Sequence, residues 1–260
     1  MSESASTPEL LVDPRGPVLW LTIQREERRN AINHAVLSQM SQAIDAAQAD
    51  RALRAIVVTG AGTKAFCAGA DLQSAQAFTT DYSEPYASFA LLLRRANASN
   101  VPLIARVNGA CMAGGMGLLA MCDMAIASSQ AVFGLPEVKV GVFPAQVLSV
   151  LQHLVPRRKL AELCLTGEPL TAAQALEYGL VNYVADDLDA KLDWLLQRLL
   201  DNSPAAIRRG LYTMKKIEAM AFEESVAFTE SQIALFTLTE DAKEGQQAFR
   251  QKRKPQWKGK

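Results

Sequence analysis

A strand, a helix and a second strand near the start limit this chain more than any other feature. Val18-Leu19-Trp20-Leu21-Thr22-Ile23 is β-branched and aromatic, the composition of a strand. Val36, Leu37, Met40, Ile44 and Ala47 then keep helical spacing, which predicts a helix over about His34 to Ala49. Ala55-Ile56-Val57-Val58-Thr59-Gly60 reads as a buried strand stopped by glycine. Strand, helix and strand in that order pair in parallel through a right-handed crossover, so the chain is α/β.

The same unit recurs. A helix from about Tyr86 to Ala98 precedes the strand Pro102 to Val107. A glycine-rich turn, an apolar helix from Gly114 to Cys122 and a strand from Asp123 to Ala127 follow. Ala131-Val132-Phe133 is a short strand, and a Gly/Pro-containing segment runs to Pro144. Helices dominate from Gln146, with a possible strand at Leu180 to Val184. Leu188 to Phe249 is helical and leads into the basic tail Arg250 to Lys254. The first dozen residues are expected to be loose. The expected organisation is an α/β core over 1–190 and a helical C-terminal region over 191–260.

Composition narrows the function. The 260 residues carry 27 Lys plus Arg and 27 Asp plus Glu, so no general basic field attracts nucleic acid or an anionic membrane. An anionic ligand must be held by a local cluster. No apolar run is long enough to cross a bilayer, and the polar start lacks the order of a secretory signal. Cys67, Cys111, Cys122 and Cys164 form no CxxC pair, and His34 and His153 are the only histidines. No zinc site is expected, and a reducing cytoplasmic setting is.

Three segments carry candidate chemistry. Lys64-Ala65-Phe66-Cys67-Ala68-Gly69-Ala70-Asp71 follows the strand ending at Gly60, and its small residues let a ligand approach main-chain N–H groups. Asn108-Gly109-Ala110-Cys111-Met112-Ala113-Gly114-Gly115-Met116-Gly117 joins a strand to an apolar helix, where free N–H donors and the positive end of the dipole are presented. Two such loops can supply the two donors of an oxyanion hole. Each alone is equally well a tight turn or a site of close helix packing. Gly114, Gly115 and Gly117 lack the spacing of a dinucleotide loop, and no Walker-type GK[ST] exists. The third segment, Phe133-Gly134-Leu135-Pro136-Glu137-Val138-Lys139-Val140-Gly141, sets one carboxylate among apolar neighbours. That makes Glu137 a candidate for a raised pKa and proton transfer, with a solvated loop glutamate as the plainer alternative.

Taken together, the three segments resemble the crotonase (enoyl-CoA hydratase/isomerase) superfamily in order and spacing. The resemblance extends to Arg25-Glu26-Glu27-Arg28-Arg29-Asn30-Ala31, Met121-Cys122-Asp123-Met124, Leu165-Thr166-Gly167, Ala172-Ala173-Gln174-Ala175, Gly179-Leu180-Val181 and Ala248-Phe249-Arg250-Gln251-Lys252-Arg253. It implies a spiral of ββα turns capped by C-terminal helices, assembled as a homotrimer or dimer of trimers. It implies an acyl-CoA thioester whose carbonyl sits between the N–H groups of Ala68 and Gly114. The CoA contacts it implies are Arg28 or Arg29, Lys64, the first-loop residues Ala70, Asp71 and Leu72, and Phe249 with Lys252 from a neighbouring subunit. No metal, nicotinamide or flavin is implied, and no cofactor beyond the CoA of the substrate.

One departure bears on the reaction. Typical hydratases of the family carry two catalytic glutamates. The second is present as Glu137, whereas the first falls at Gly117, and neither Glu162 nor Glu168 matches its place. Asp123 matches a structural position. The resemblance implies an enoyl-CoA hydratase working through one glutamate, with Gln146 as a candidate to orient water. The alternatives are a Δ3,Δ2-enoyl-CoA isomerase using Glu137 as sole base and a non-catalytic acyl-CoA-binding paralogue. Tyr82 and Tyr86 are candidates to line the acyl pocket or to pack.

Overall fold

The computed structural model describes residues 8–73 and 83–260. The chain begins with the hairpin β1 (Leu10–Arg15) and β2 (Val18–Ile23), paired antiparallel through a turn at Gly16, whose φ of 58° suits glycine. The expectation of a loose first dozen residues is therefore corrected for residues 10–12. Leu10 is buried, and β1 lies at the sheet edge, where Pro14 leaves no ladder donor missing on a neighbour.

Helix α1 (His34–Ala49) is started by Asn33, whose side chain accepts from the Val36 N–H at 3.0 Å. It buries Val36, Leu37, Met40, Ile44 and Ala47, the stripe read from the spacing. Three turns of one pattern follow. In the first, β3 (Ala55–Gly60) and β4 (Ala65–Cys67) precede α2 (Ser88–Ala98). In the second, β5 (Leu103–Val107) and β6 (Ala110–Met112) precede α3 (Gly114–Ala120). In the third, β7 (Met124–Ser128) and β8 (Val132–Gly134) lead through a 3-10 helix, Pro136–Val140, to α4 (Ala145–Leu151). The first strand of each turn enters a six-stranded sheet ordered β1-β2-β3-β5-β7-β10. The second enters a four-stranded sheet ordered β4-β6-β8-β9. This is the ββα spiral that the resemblance implied.

After α4 come α5 (Arg157–Thr166), β9 (Leu170–Thr171), α6 (Ala172–Glu177), β10 (Tyr183–Ala185) and α7 (Leu188–Leu200). The large sheet is covered on both faces. Leu19, Leu21, Ile23, Ile56, Val58, Leu103 and Ala105 face the main core with α1 and α2. The alternate residues Val18, Ala55, Val57, Ile104 and Ile126 meet four leucines of α7. All six residues of β3 are buried, as a central parallel strand requires.

The last helices are α8 (Pro204–Ile217), α9 (Phe222–Thr237) and α10 (Glu240–Arg250). Two cations fasten α8 to the core. Arg208 donates to the carbonyls of Gln48, Asp50 and Leu53 and to Asn100 Oδ1. Lys215 pairs with Asp123 at 3.0 Å and donates to the carbonyls of Ala96 and Ser99. These carbonyls lie at or just beyond the C-termini of α1 and α2, where positive charge is favoured. In α9, by contrast, Gln232 is the one buried residue, and Phe222, Ile233 and the following Leu238 are exposed. No helix among the described residues is long and apolar enough to cross a membrane.

Candidate active site

The first loop is held from beneath by two buried amides. Asn30 Nδ2 donates to the carbonyls of Ala61 and Ala65, and its Oδ1 accepts from the Arg25 N–H. Asn108 Nδ2 donates to Gly62 and Ala65, and its Oδ1 accepts from the Gly60 N–H at 3.2 Å. Beyond β4 the chain bridges to Ile32, whose N–H donates to the Gly69 carbonyl and whose carbonyl accepts from the Asp71 N–H. A parallel bridge of that kind turns the N–H of Ala70 away from Ile32.

The amides of this loop can be assigned one by one. Ala68 donates to the Arg29 carbonyl at 3.1 Å, and Gly69 to Cys67 Sγ at 3.4 Å. Asp71 donates to Ile32 at 2.9 Å. The Ala70 N–H is left without an acceptor among the described residues. The expectation that Ala68 is an oxyanion donor is therefore corrected, since its single proton is already engaged.

The second loop meets the first directly. Ala113 donates to the Gly134 carbonyl at 2.9 Å and adopts φ 51° and ψ −121°, a strained conformation for a residue with a side chain. That turn aims the Gly114 N–H outward as the first residue of α3, where no intrahelical acceptor exists. A Cβ on Gly69 would lie 2.7 Å from Ala113 Cβ and 3.2 Å from Gly114 N, and one on Gly114 would lie 3.7 Å from Ala70 N. One on Gly115 would lie 2.4 Å from the Cys67 carbonyl oxygen. The two loops thus meet at Gly69, Gly114 and Gly115, which brings the backbone of Ala70 close to that of Gly114.

Glu137 arrives from the third turn of the spiral. Met112 pairs with Gly134 across β6 and β8, two residues before the 3-10 helix, which packs against α5. Oε2 of Glu137 is buried with no hydrogen-bond partner, and burial raises its carboxyl above the ordinary value. Cys164 of α5 lies close enough that Glu137, after burial, adds to the rise in its thiol pKa. Gly117, one turn into α3, is buried, and a Cβ there would lie 2.6 Å from Cζ of Phe89 on α2.

A hollow of about 300 Å³ opens between residues 27–31 and 68–73. Arg28, Arg29, Ala70, Asp71 and Leu72 line it, as does Ala68. Arg28 donates to Gln73 Oε1. Asp71 has a structural use as well, because its carboxylate pairs with buried Arg25 at 2.6 Å, which lowers its pKa. Lys64 is exposed on the turn before β4, outside the hollow. Phe249 and Lys252 lie exposed around the end of α10, also outside it. Gln146 is exposed on α4, away from the buried Val147 and Leu151. Tyr86 is exposed beneath the Arg94 guanidinium, and Tyr82 lies outside the described residues. The free amide of Ala70, the supporting amides of Asn30 and Asn108, and Phe89 were not singled out as such from the sequence. Their roles depend on contacts between distant segments.

Two loop amides without an acceptor and a buried, unpartnered carboxylate oxygen thus come from successive turns of a ββα spiral. Residues 14–260 match the family model for enoyl-CoA hydratase/isomerase, and the chain belongs to that family. It is 35% identical to the 2,3-dehydroadipyl-CoA hydratase of Escherichia coli over 96% of this chain and 99% of that protein. It is 36% identical to an enoyl-CoA hydratase of Mycobacterium tuberculosis over 98% of each. Among solved structures, an enoyl-CoA hydratase of Mycobacterium smegmatis superposes with a TM-score of 0.91 at 31% identity, covering 96% of this chain and 99% of that one. The crotonase-type fold and the enzyme class expected from the sequence are thus both met.

Proposed function

We propose that the enzyme hydrates a 2-enoyl-CoA thioester, with Glu137 as the single acid/base and the N–H groups of Ala70 and Gly114 as the oxyanion hole. The observation that carries the reading is the buried, unpartnered Oε2 of Glu137, three residues beyond the Gly134 carbonyl that accepts from Ala113 of the second loop. A carboxyl kept short of hydrogen bonds is suited to exchange a proton. In the ionised state Glu137 takes a proton from water as the water oxygen bonds to C3. The alkene electrons move toward the thioester, and the carbonyl oxygen gains negative charge between the two amides. Each such donor is worth about 3–4 kcal/mol in the transition state. Glu137 then returns the proton to C2, so that one whole water has been added.

The hollow beside Arg28 and Arg29 suits the CoA portion, with Ala70, Asp71 and Leu72 along its wall and Lys64 at its approach. No cofactor beyond that CoA is needed. Phe249 and Lys252 would serve a neighbouring copy, and the exposed apolar side chains of α9 support a C-terminal region that assembles a homotrimer or dimer of trimers. The free thiols suit a cytoplasmic location.

The absence of a carboxylate at Gly117 favours a second reading, a Δ3,Δ2-enoyl-CoA isomerase in which Glu137 moves one proton between C2 and C4. Mass spectrometry of trans-2-enoyl-CoA thioesters incubated in heavy water separates the two. Gain of one heavy water supports hydration, deuterium uptake without added oxygen supports isomerisation, and wild-type turnover by Glu137→Gln would sink both.

A further inference from the structure

Phe89 occupies a place that the backbone of α3 leaves open. A Cβ built on Gly117 would lie 2.6 Å from Phe89 Cζ, 3.2 Å from Phe89 Cε1 and 3.5 Å from Val147 Cγ2. Real Cβ atoms do not approach that closely, so residue 117 and Phe89 compete for one volume. Phe89 is half-buried against the main core, near the start of α2, and that start is tied to α1 by the His34–Ser88 hydrogen bond of 2.7 Å. The backbone that carries the ring is therefore tied to α1.

Gly117 follows Gly114 by three residues, a rise of about 4.5 Å along the helix. An acyl group whose carbonyl oxygen sits on the Gly114 N–H has its C3 and C4 at a comparable distance from that donor. The wall met there by the acyl chain is an aromatic edge and a valine methyl.

We propose that Phe89 is the specificity-determining residue of this site. Its ring fills the seat of a side chain at 117 and limits the width of the acyl channel beside C4. The inference rests on the acyl-CoA reading above. It selects straight, apolar acyl chains over those branched at C4, because a branch would have to displace the ring. Excluding a methyl group in an apolar pocket is worth roughly 10- to 200-fold in selectivity.

Two measurements on the full-length protein test this. Calorimetric binding of unreactive saturated thioesters, butyryl-CoA and 4-methylpentanoyl-CoA, compares wild type with Phe89→Ala and the milder Phe89→Leu. Free CoA serves as the reference for a site left intact. The expected result is an affinity ratio that moves at least tenfold toward the branched thioester in Phe89→Ala. A ratio within twofold of wild type in both variants overturns the inference. Thermal melts of Gly117→Ala, Phe89→Ala and the double variant test the contact without any ligand. Gly117→Ala is expected to lower Tm with Phe89 present and to have little effect in the Phe89→Ala background. Strict additivity overturns the inference. Thioesters that bind wild type no better than free CoA overturn the acyl-site reading instead, and the selectivity argument with it.

Discussion

Replacing Glu137 by Gln is expected to abolish turnover and also to stabilise the fold at neutral pH. Oε2 of Glu137 is buried without a partner, and burial raises its pKa. A buried acceptor left unsatisfied costs about 1–3 kcal/mol. The side chain as a whole is half-buried, and solvent reaching its less covered part offsets some of that cost. The net gain on neutralising it is then about 1 kcal/mol. The pH dependence has a definite sign. A carboxyl whose folded pKa is raised binds its proton more tightly in the native state. Wild type therefore loses stability as pH rises from the ordinary carboxylate value through the raised one. Glutamine does not titrate and escapes that loss. The two proteins should be equally stable below the ordinary carboxylate range and separate by about 1 kcal/mol above the raised pKa. For a chain of this size that separation is about 2 °C in Tm. Urea melts of both proteins at about pH 4, 6 and 8 would read it. A variant no more stable than wild type at every pH would refute the reasoning, because Oε2 would then have to be satisfied in solution.

Three further outcomes follow from other contacts. Gly69→Ala should lower kcat by roughly 10²–10³ while leaving CoA binding in place, because its Cβ would wedge Ala113 away and misplace the Gly114 donor; steady-state kinetics showing less than a threefold fall would refute that geometry. Arg208→Met should cost about 2–4 kcal/mol in denaturant melts, since three carbonyls and Asn100 lose their donor at once. Asp71→Asn should destabilise by about 1–3 kcal/mol at neutral pH. Here the folded pKa is lowered by Arg25, so the stabilisation is present above the ordinary carboxylate value and lost as pH falls through the lowered one. Melts showing a penalty that grows toward acid would contradict that pairing.

The long elements were legible because their signal is local. The stripe Val36, Leu37, Met40, Ile44 and Ala47 marks α1 unaided, and the run Ala55 to Gly60 marks β3 to the residue. Two short strands, β4 and β6, lie in segments that read as loop and turn, because each has three residues and pairs only with segments of other spiral turns. β1 was missed for a related reason, since Pro14 and Asp13 read as loop until Leu19 to Ile23 supply the partner. The site divided in the same way. Glu137 stands out in its own segment as a lone carboxylate among apolar neighbours, whereas Gly114 is picked from its loop's glycines only through the family resemblance. Which amide of the first loop stays free could not be read there, because Arg29 and Ile32 decide it from forty residues away. The ring of Phe89 against Gly117 has no signature beyond the missing side chain.

The two amides proposed as oxyanion donors sit on loops that leave neighbouring strands of the small sheet, β4 and β6, paired Ala65 with Ala110 and Cys67 with Cys111. The starting points of those loops are set by the repeat between adjacent strands, about 4.8 Å, across a pairing whose register shifts between Ala65 and Cys67. The sheet acts as a ruler, and in the proposed reaction the thioester oxygen is its zero mark. Positions 89, 117 and 137 are graduations that can be rewritten around a fixed origin. On the proposed reading, replacements there change what is added to the acyl group, or which acyl group is admitted, without relocating the atom on which charge accumulates.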